Sequence, residues 1–137
     1  MIAGVVHHNG VAGRDPSTAD LNRHAIEVKK YAGIGYHYII RRDGTIEVGR
    51  PLELWAPIAG VNNDYTVGIC INGNLEEEDI TEGQYEALVL LCLWLQEEFQ
   101  GMGVWYPHCE LEAALCPGAN FPWERFIRDL GRCPPIC

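Results

Sequence analysis

Residues 51–124 contain no lysine or arginine, although the 137-residue chain has ten such residues. The same stretch holds thirteen acidic side chains, a balance of −13, whereas residues 1–50 (seven basic, five acidic) and 125–137 (three basic, one acidic) are each +2. A net charge of −9 excludes a chain built to hold nucleic acid, whose phosphates demand basic patches. No apolar run approaches the ~20 residues that span a bilayer, so membrane insertion is not expected. Met1–Val6 is apolar but lacks a basic flank and is cut short by His7, so it does not read as a secretory leader, and synthesis in the cytoplasm is the expectation. Internal repeats, linkers and low-complexity segments are missing too. So is the apolar poverty of disordered chains, since 47% of the residues are hydrophobic. A chain of this length buries roughly two thirds of its unfolded surface, and one domain over 1–137 is expected.

What is present reads as strands mixed with helices. Ile2–Val6 is a short apolar run that suits a buried strand. Ser17-Thr18-Ala19-Asp20 offers capping hydroxyls and an early acid; Leu21, Ala25, Val28 and Ala32 then recur at helical spacing, with Gly33 as the stop. Tyr36–Arg41, Asp43-Gly44 and Thr45–Val48 predict a hairpin, because a tight turn needs the positive φ that Asp-Gly supplies. Thr66–Ile71 reads as another buried strand. Glu76-Glu77-Glu78-Asp79 reads as a solvated loop. Thr81 with Gln84 forms a capping box ahead of the stripe Tyr85, Leu88, Leu91, Cys92, Leu95 and Phe99, and Gly101 ends that helix. Val104–Tyr106 suits a last strand, and Pro122 opens a helix carrying Trp123, Phe126, Ile127 and Leu130. The pattern predicts an α/β domain with a central mixed β-sheet flanked by helices.

Among five histidines and six cysteines, several stand at predicted strand ends, where loops present side chains to a site. His7 ends the first strand, His108 follows the last one, and Cys116 comes eight residues later before Pro117-Gly118. Two imidazoles and a thiolate are suitable ligands for Zn²⁺ and leave a fourth position for water. The spacing itself matches no compact zinc-finger pattern.

Val5-Val6-His7-His8, Gly35-Tyr36-His37-Tyr38-Ile39-Ile40 and Arg42-Asp43-Gly44-Thr45-Ile46 together resemble the zinc-dependent N-acetylmuramoyl-L-alanine amidases, which include phage lysozyme-like endolysins and the peptidoglycan recognition proteins. The resemblance continues, in order, through Gly60-Val61-Asn62, Val67-Gly68-Ile69-Cys70, His108, Cys116-Pro117-Gly118 and Phe121–Phe126. It implies the peptidoglycan-recognition fold, Zn²⁺ on His7, His108 and Cys116, and Tyr36 as the active-site phenol. The implied reaction is hydrolysis of the amide between N-acetylmuramic acid and the L-alanine of the stem peptide by a zinc-activated water. Tyr36 would donate to the carbonyl oxygen as it becomes an oxyanion. His8 is expected to face away from His7, and His37 to be structural, since side chains alternate along extended chain. Trp55, Asn62, Asn63 and Asn120 are candidates for substrate binding, with peptidoglycan or a muropeptide as the partner.

Two positions depart from the pattern. Many phage-type members carry a Lys two residues before the ligand Cys, where this chain has Ala114; the recognition-protein amidases lack that Lys as well. A His that often precedes the Gly-x-Asn segment is replaced by Pro57. Ala114 belongs to the stretch without basic residues, so the metal would supply most of the positive field at the site. Glu110 and Glu112, between His108 and Cys116, read as solvated loop carboxylates that could also serve as a base. Cys70 and Cys92 should be buried thiols, Cys109 should point away from the ligands, and Cys133 with Cys137 could close a small terminal loop, pair with another chain or stay free in a tail. The usage as a whole suits a reducing cytosol.

A catalytic domain with no separate wall-binding domain fits a phage or prophage endolysin released to the wall by a holin-type partner. It would also fit a cytosolic wall-recycling amidase. A non-catalytic muropeptide-binding module, or a cysteine hydrolase using Cys116 with His108, are the alternatives from other classes.

Overall fold

A computed structural model describes residues 3–8, 13–30, 33–52, 66–99, 104–107 and 116–131. The elements are β1 (Ala3–His8), α1 (Thr18–Glu27), β2 (Tyr38–Ile40), β3 (Ile46–Val48), β4 (Thr66–Ile71), α2 (Glu82–Glu98), β5 (Val104–Pro107) and α3 (Trp123–Asp129). The strands form one mixed sheet in the order β3-β2-β4-β1-β5. β1 runs parallel to β4 and β5, β2 runs parallel to β4, and among the described residues only the β2–β3 pair is antiparallel.

Pleating divides this sheet into two faces. On one, Val6, Val67, Ile69, Ile71, Tyr38 and Ile40 meet Tyr85, Leu88, Leu91, Cys92 and Leu95 of α2 and Phe126 and Ile127 of α3. The other face carries a smaller cluster of Ile34, Ile39 and Cys70, against which Leu21 of α1 and Tyr36 pack. Ile69 and Ile71 are fully buried on one face and Cys70 on the other. That two-sided burial explains why β4 reads as an unbroken apolar run rather than an alternating one.

Local signals fix most of the boundaries. Thr81 accepts from the Gln84 N–H while Gln84 returns to the Thr81 N–H, so the capping box holds α2 as expected. Ser17 and Asp20 do the same for α1. In the hairpin the Gly44 N–H bonds the Arg41 carbonyl, and Gly44 alone of the Asp-Gly pair takes positive φ, +92°. A three-residue loop with glycine in that conformation closes the turn.

α1 is shorter than its apolar spacing predicts. It ends at Glu27, and Val28 beyond it is exposed. Lys30 adopts a left-handed φ of 60°, and the Asn22 side chain accepts the Ile34 N–H at 2.9 Å, which draws the chain back toward the sheet.

Basic side chains outside the acidic stretch reach into it. Arg42 donates to Gln84 Oε1 at 2.9 Å and to the carbonyls of Asn72 and Asp79. Arg125 bridges both Glu82 oxygens at 3.1 and 3.2 Å. The uneven charge along the chain is thus partly evened out by the fold.

Candidate active site

The parallel strands β4 and β1 end side by side, and loops leave the sheet there, which is where open α/β sheets place their sites. His7 is the penultimate residue of β1 and pairs in register with Cys70 of β4, which pairs with Ile39 of β2. All three therefore point to the face of the smaller cluster. His7 is 1% exposed. Its Nδ1 lies 3.8 Å from the Cys116 Sγ, across 109 residues of sequence. Tetrahedral Zn–N and Zn–S bonds of ordinary length would set such a pair about 3.5 Å apart, so this donor set fits a zinc ion with a small adjustment. The backbone N–H of His8 is aimed at the same sulfur, at 3.2 Å, a donor suited to a thiolate.

Tyr36 completes the group. Its ring stands 5.3 Å from that of His7, tilted by 58°. It packs against the cluster that contains Cys70. Burial pushes the Cys70 thiol far up, with the neighbouring Cys116 adding to the rise, so Cys70 stays protonated. Burial does the same to Cys92 within α2. None of the three described cysteines is disulfide-bonded.

Neighbouring residues take supporting places. His8 faces the α2 side, and its Nδ1 accepts the Leu75 N–H at 3.0 Å. His37 is buried, and its Nδ1 accepts the Gly68 N–H at 3.0 Å, which assigns the proton of the neutral ring to Nε2. Asn120 lies exposed on the turn after Cys116, with its side-chain amide bonded to the Glu78 carbonyl. His108, Trp55, Asn62, Asn63, Ala114, Pro57, Glu110, Glu112, Cys109, Cys133 and Cys137 lie outside the described residues. Among the described residues, no three metal-ligating side chains form a group. Sequence reasoning placed Cys70 only as a buried thiol; its place beside His7 and Tyr36 follows from strand register.

The sequence pattern of the N-acetylmuramoyl-L-alanine amidase family matches residues 2–119. The chain belongs to that family. The solved structure of the N-acetylmuramoyl-L-alanine amidase LysC from Clostridium intestinale superposes with a TM-score of 0.88 at 30% identity, covering 96% of this chain and 85% of that one. The endolysin of Klebsiella phage KP32 is 32% identical over 99 residues, 67% of this chain. That match spans 65% of the endolysin, just under two thirds of its length. Drosophila peptidoglycan recognition protein SD shares the fold with a TM-score of 0.77 at 25% identity, covering 86% of this chain and 75% of that one. The expected amidase-type fold, a mixed sheet flanked by helices, is thus the one observed. No helix among the described residues is long and apolar enough to cross a membrane.

Proposed function

We propose that this amidase-family chain hydrolyses the bond between the lactyl group of N-acetylmuramic acid and L-alanine in peptidoglycan, as a zinc-dependent phage or prophage endolysin. The observation that carries the reading is the 3.8 Å approach of His7 Nδ1 to Cys116 Sγ beside Tyr36 at the strand ends. His7, Cys116 and, by the family pattern, His108 would hold Zn²⁺. Bound there, the ion would supply Lewis-acid polarisation of the carbonyl and activation of water near neutral pH.

The protein's own groups do the rest. β1 fixes the His7 ring through its pairing with β4. The His8 N–H satisfies one lone pair of the Cys116 thiolate. Tyr36 donates its hydroxyl proton in a hydrogen bond to the scissile carbonyl oxygen as negative charge gathers there. Trp55, Asn62, Asn63 and Asn120 would line the path for glycan and peptide. The likeness to the Klebsiella phage endolysin favours wall lysis, after release by a holin-type partner, over recycling of wall fragments.

The test is digestion of purified muropeptide with and without a chelator, with products read by mass spectrometry. Stem peptides with a free L-alanine amino terminus are expected, lost on chelation and restored by Zn²⁺. Binding without cleavage would refute the enzyme in favour of a recognition module. Cleavage indifferent to chelator would refute the metal and point to a Cys116 nucleophile.

A further inference from the structure

The acidic run after β4 is the solvated loop its sequence predicts, and the fold also uses it to hold the segment carrying Cys116. Glu76 Oε1 accepts the Ala119 N–H at 2.9 Å. The Asn120 N–H donates to the Leu75 carbonyl at 2.8 Å. Gly118, at φ +109°, sits so close to this turn that a Cβ there would come within 2.7 Å of the Glu76 nitrogen. From the other side, the His8 ring accepts the Leu75 N–H, and the His8 N–H reaches Cys116 Sγ. The end of β1, the 74–78 turn and the Cys116 segment therefore form a closed ring of contacts. Within it, Glu76 contributes a side chain that is exposed and lies away from the core.

We propose that Glu76 is a positioning residue for the metal centre. Its carboxylate fixes Ala119, and through the tight turn at Gly118 it holds the Cys116 sulfur at its working distance from His7. This rests on the zinc reading above. Partners that orient metal ligands typically contribute about 10- to 100-fold in affinity. Glu76 acts three residues from the ligand, so an effect at or just below the low end of that range, about five- to tenfold, is expected. Its side chain is exposed and is not a member of the hydrophobic core.

The experiment measures the zinc affinity of the full chain by competition with a chromogenic chelator, and the thiolate-to-metal absorption band of the Co²⁺-loaded protein. Glu76→Ala should weaken zinc about five- to tenfold and displace the band, while the metal-free protein melts close to wild type. Glu76→Gln should restore both, because its amide oxygen still accepts the Ala119 N–H. Glu77→Ala removes an equal charge from the exposed neighbour and should behave as wild type. Wild-type affinity and band in Glu76→Ala would overturn the proposal. So would equal weakening in Glu77→Ala, or failure of Glu76→Gln to restore, since either would point to general charge. If wild-type protein shows no thiolate band with Co²⁺, the zinc reading itself falls and this proposal with it, a result visible before any variant is made.

Discussion

Tyr36→Phe separates a catalytic phenol from an aromatic that merely packs. The ring packs against the cluster of Ile34, Ile39 and Cys70 and stands 5.3 Å from His7, and phenylalanine keeps all of those contacts. What is lost is the hydroxyl. Losing a single hydrogen bond of a hydroxyl costs about 0.5–1.5 kcal/mol, a drop of a few degrees in melting temperature. A single donor to a developing oxyanion is worth about 2.7–4 kcal/mol, or a 10²- to 10³-fold fall in kcat. The two effects are thus far apart in size. Initial rates on a defined muropeptide, with zinc content and melting temperature measured on the same samples, would read them. The expected result is kcat down by about two to three orders of magnitude, with KM, zinc content and fold preserved. A rate within about threefold of wild type would refute the assignment, because an oxyanion donor cannot be removed so cheaply. Loss of zinc along with rate would instead show that Tyr36 supports His7 rather than the substrate.

Two further outcomes follow from the geometry. Gly44→Ala should destabilise by about 1–3 kcal/mol, since it forces a Cβ onto positive φ and within 2.6 Å of the Gly83 carbonyl oxygen; an unchanged denaturation midpoint would refute the turn as described. Acid should weaken the fold through Asp15 and Glu47. Burial pulls Asp15 upward, but hydrogen bonds from Asn72, the Arg42 backbone and Arg41 outweigh it and hold its carboxyl below the ordinary value of 3.8. The Thr18 backbone N–H, with Arg41 nearby, lowers Glu47 likewise. A depressed folded pKa gives stability that is full above the unfolded value and lost as pH falls through the folded one. The decline should therefore begin near pH 4, and Asp15→Asn should flatten it; an equally steep acid decline in that variant would sink the linkage.

Local chemistry made much of the fold legible. The Thr81–Gln84 capping box, the capping hydroxyls ahead of α1, the Asp-Gly hairpin, the apolar run of β4 and the stripe of α2 are short-range patterns, and each appears where its residues predict. α1 shows the limit. Val28 keeps the helical spacing of Leu21 and Ala25, but Lys30 and the Asn22 bond turn the chain back before that spacing can be used. The acidic run is the solvated loop its composition predicts, but composition could not show that Glu76 also serves as an acceptor for the backbone of a distant turn.

For the site, the family pattern named His7, Tyr36 and Cys116 from their neighbours in sequence. Residue types and spacing by themselves left them unconnected, because the sheet face of His7 is a property of register, and a one-residue slip would reverse it. Only the tertiary structure brought Cys116 to His7 across 109 positions and packed Tyr36 against the cluster that holds Cys70. Sequence alone determined the elements, since caps, turns and apolar periods act over a few residues. The fold decided which side chains meet, since a sheet joins residues that no local interaction relates.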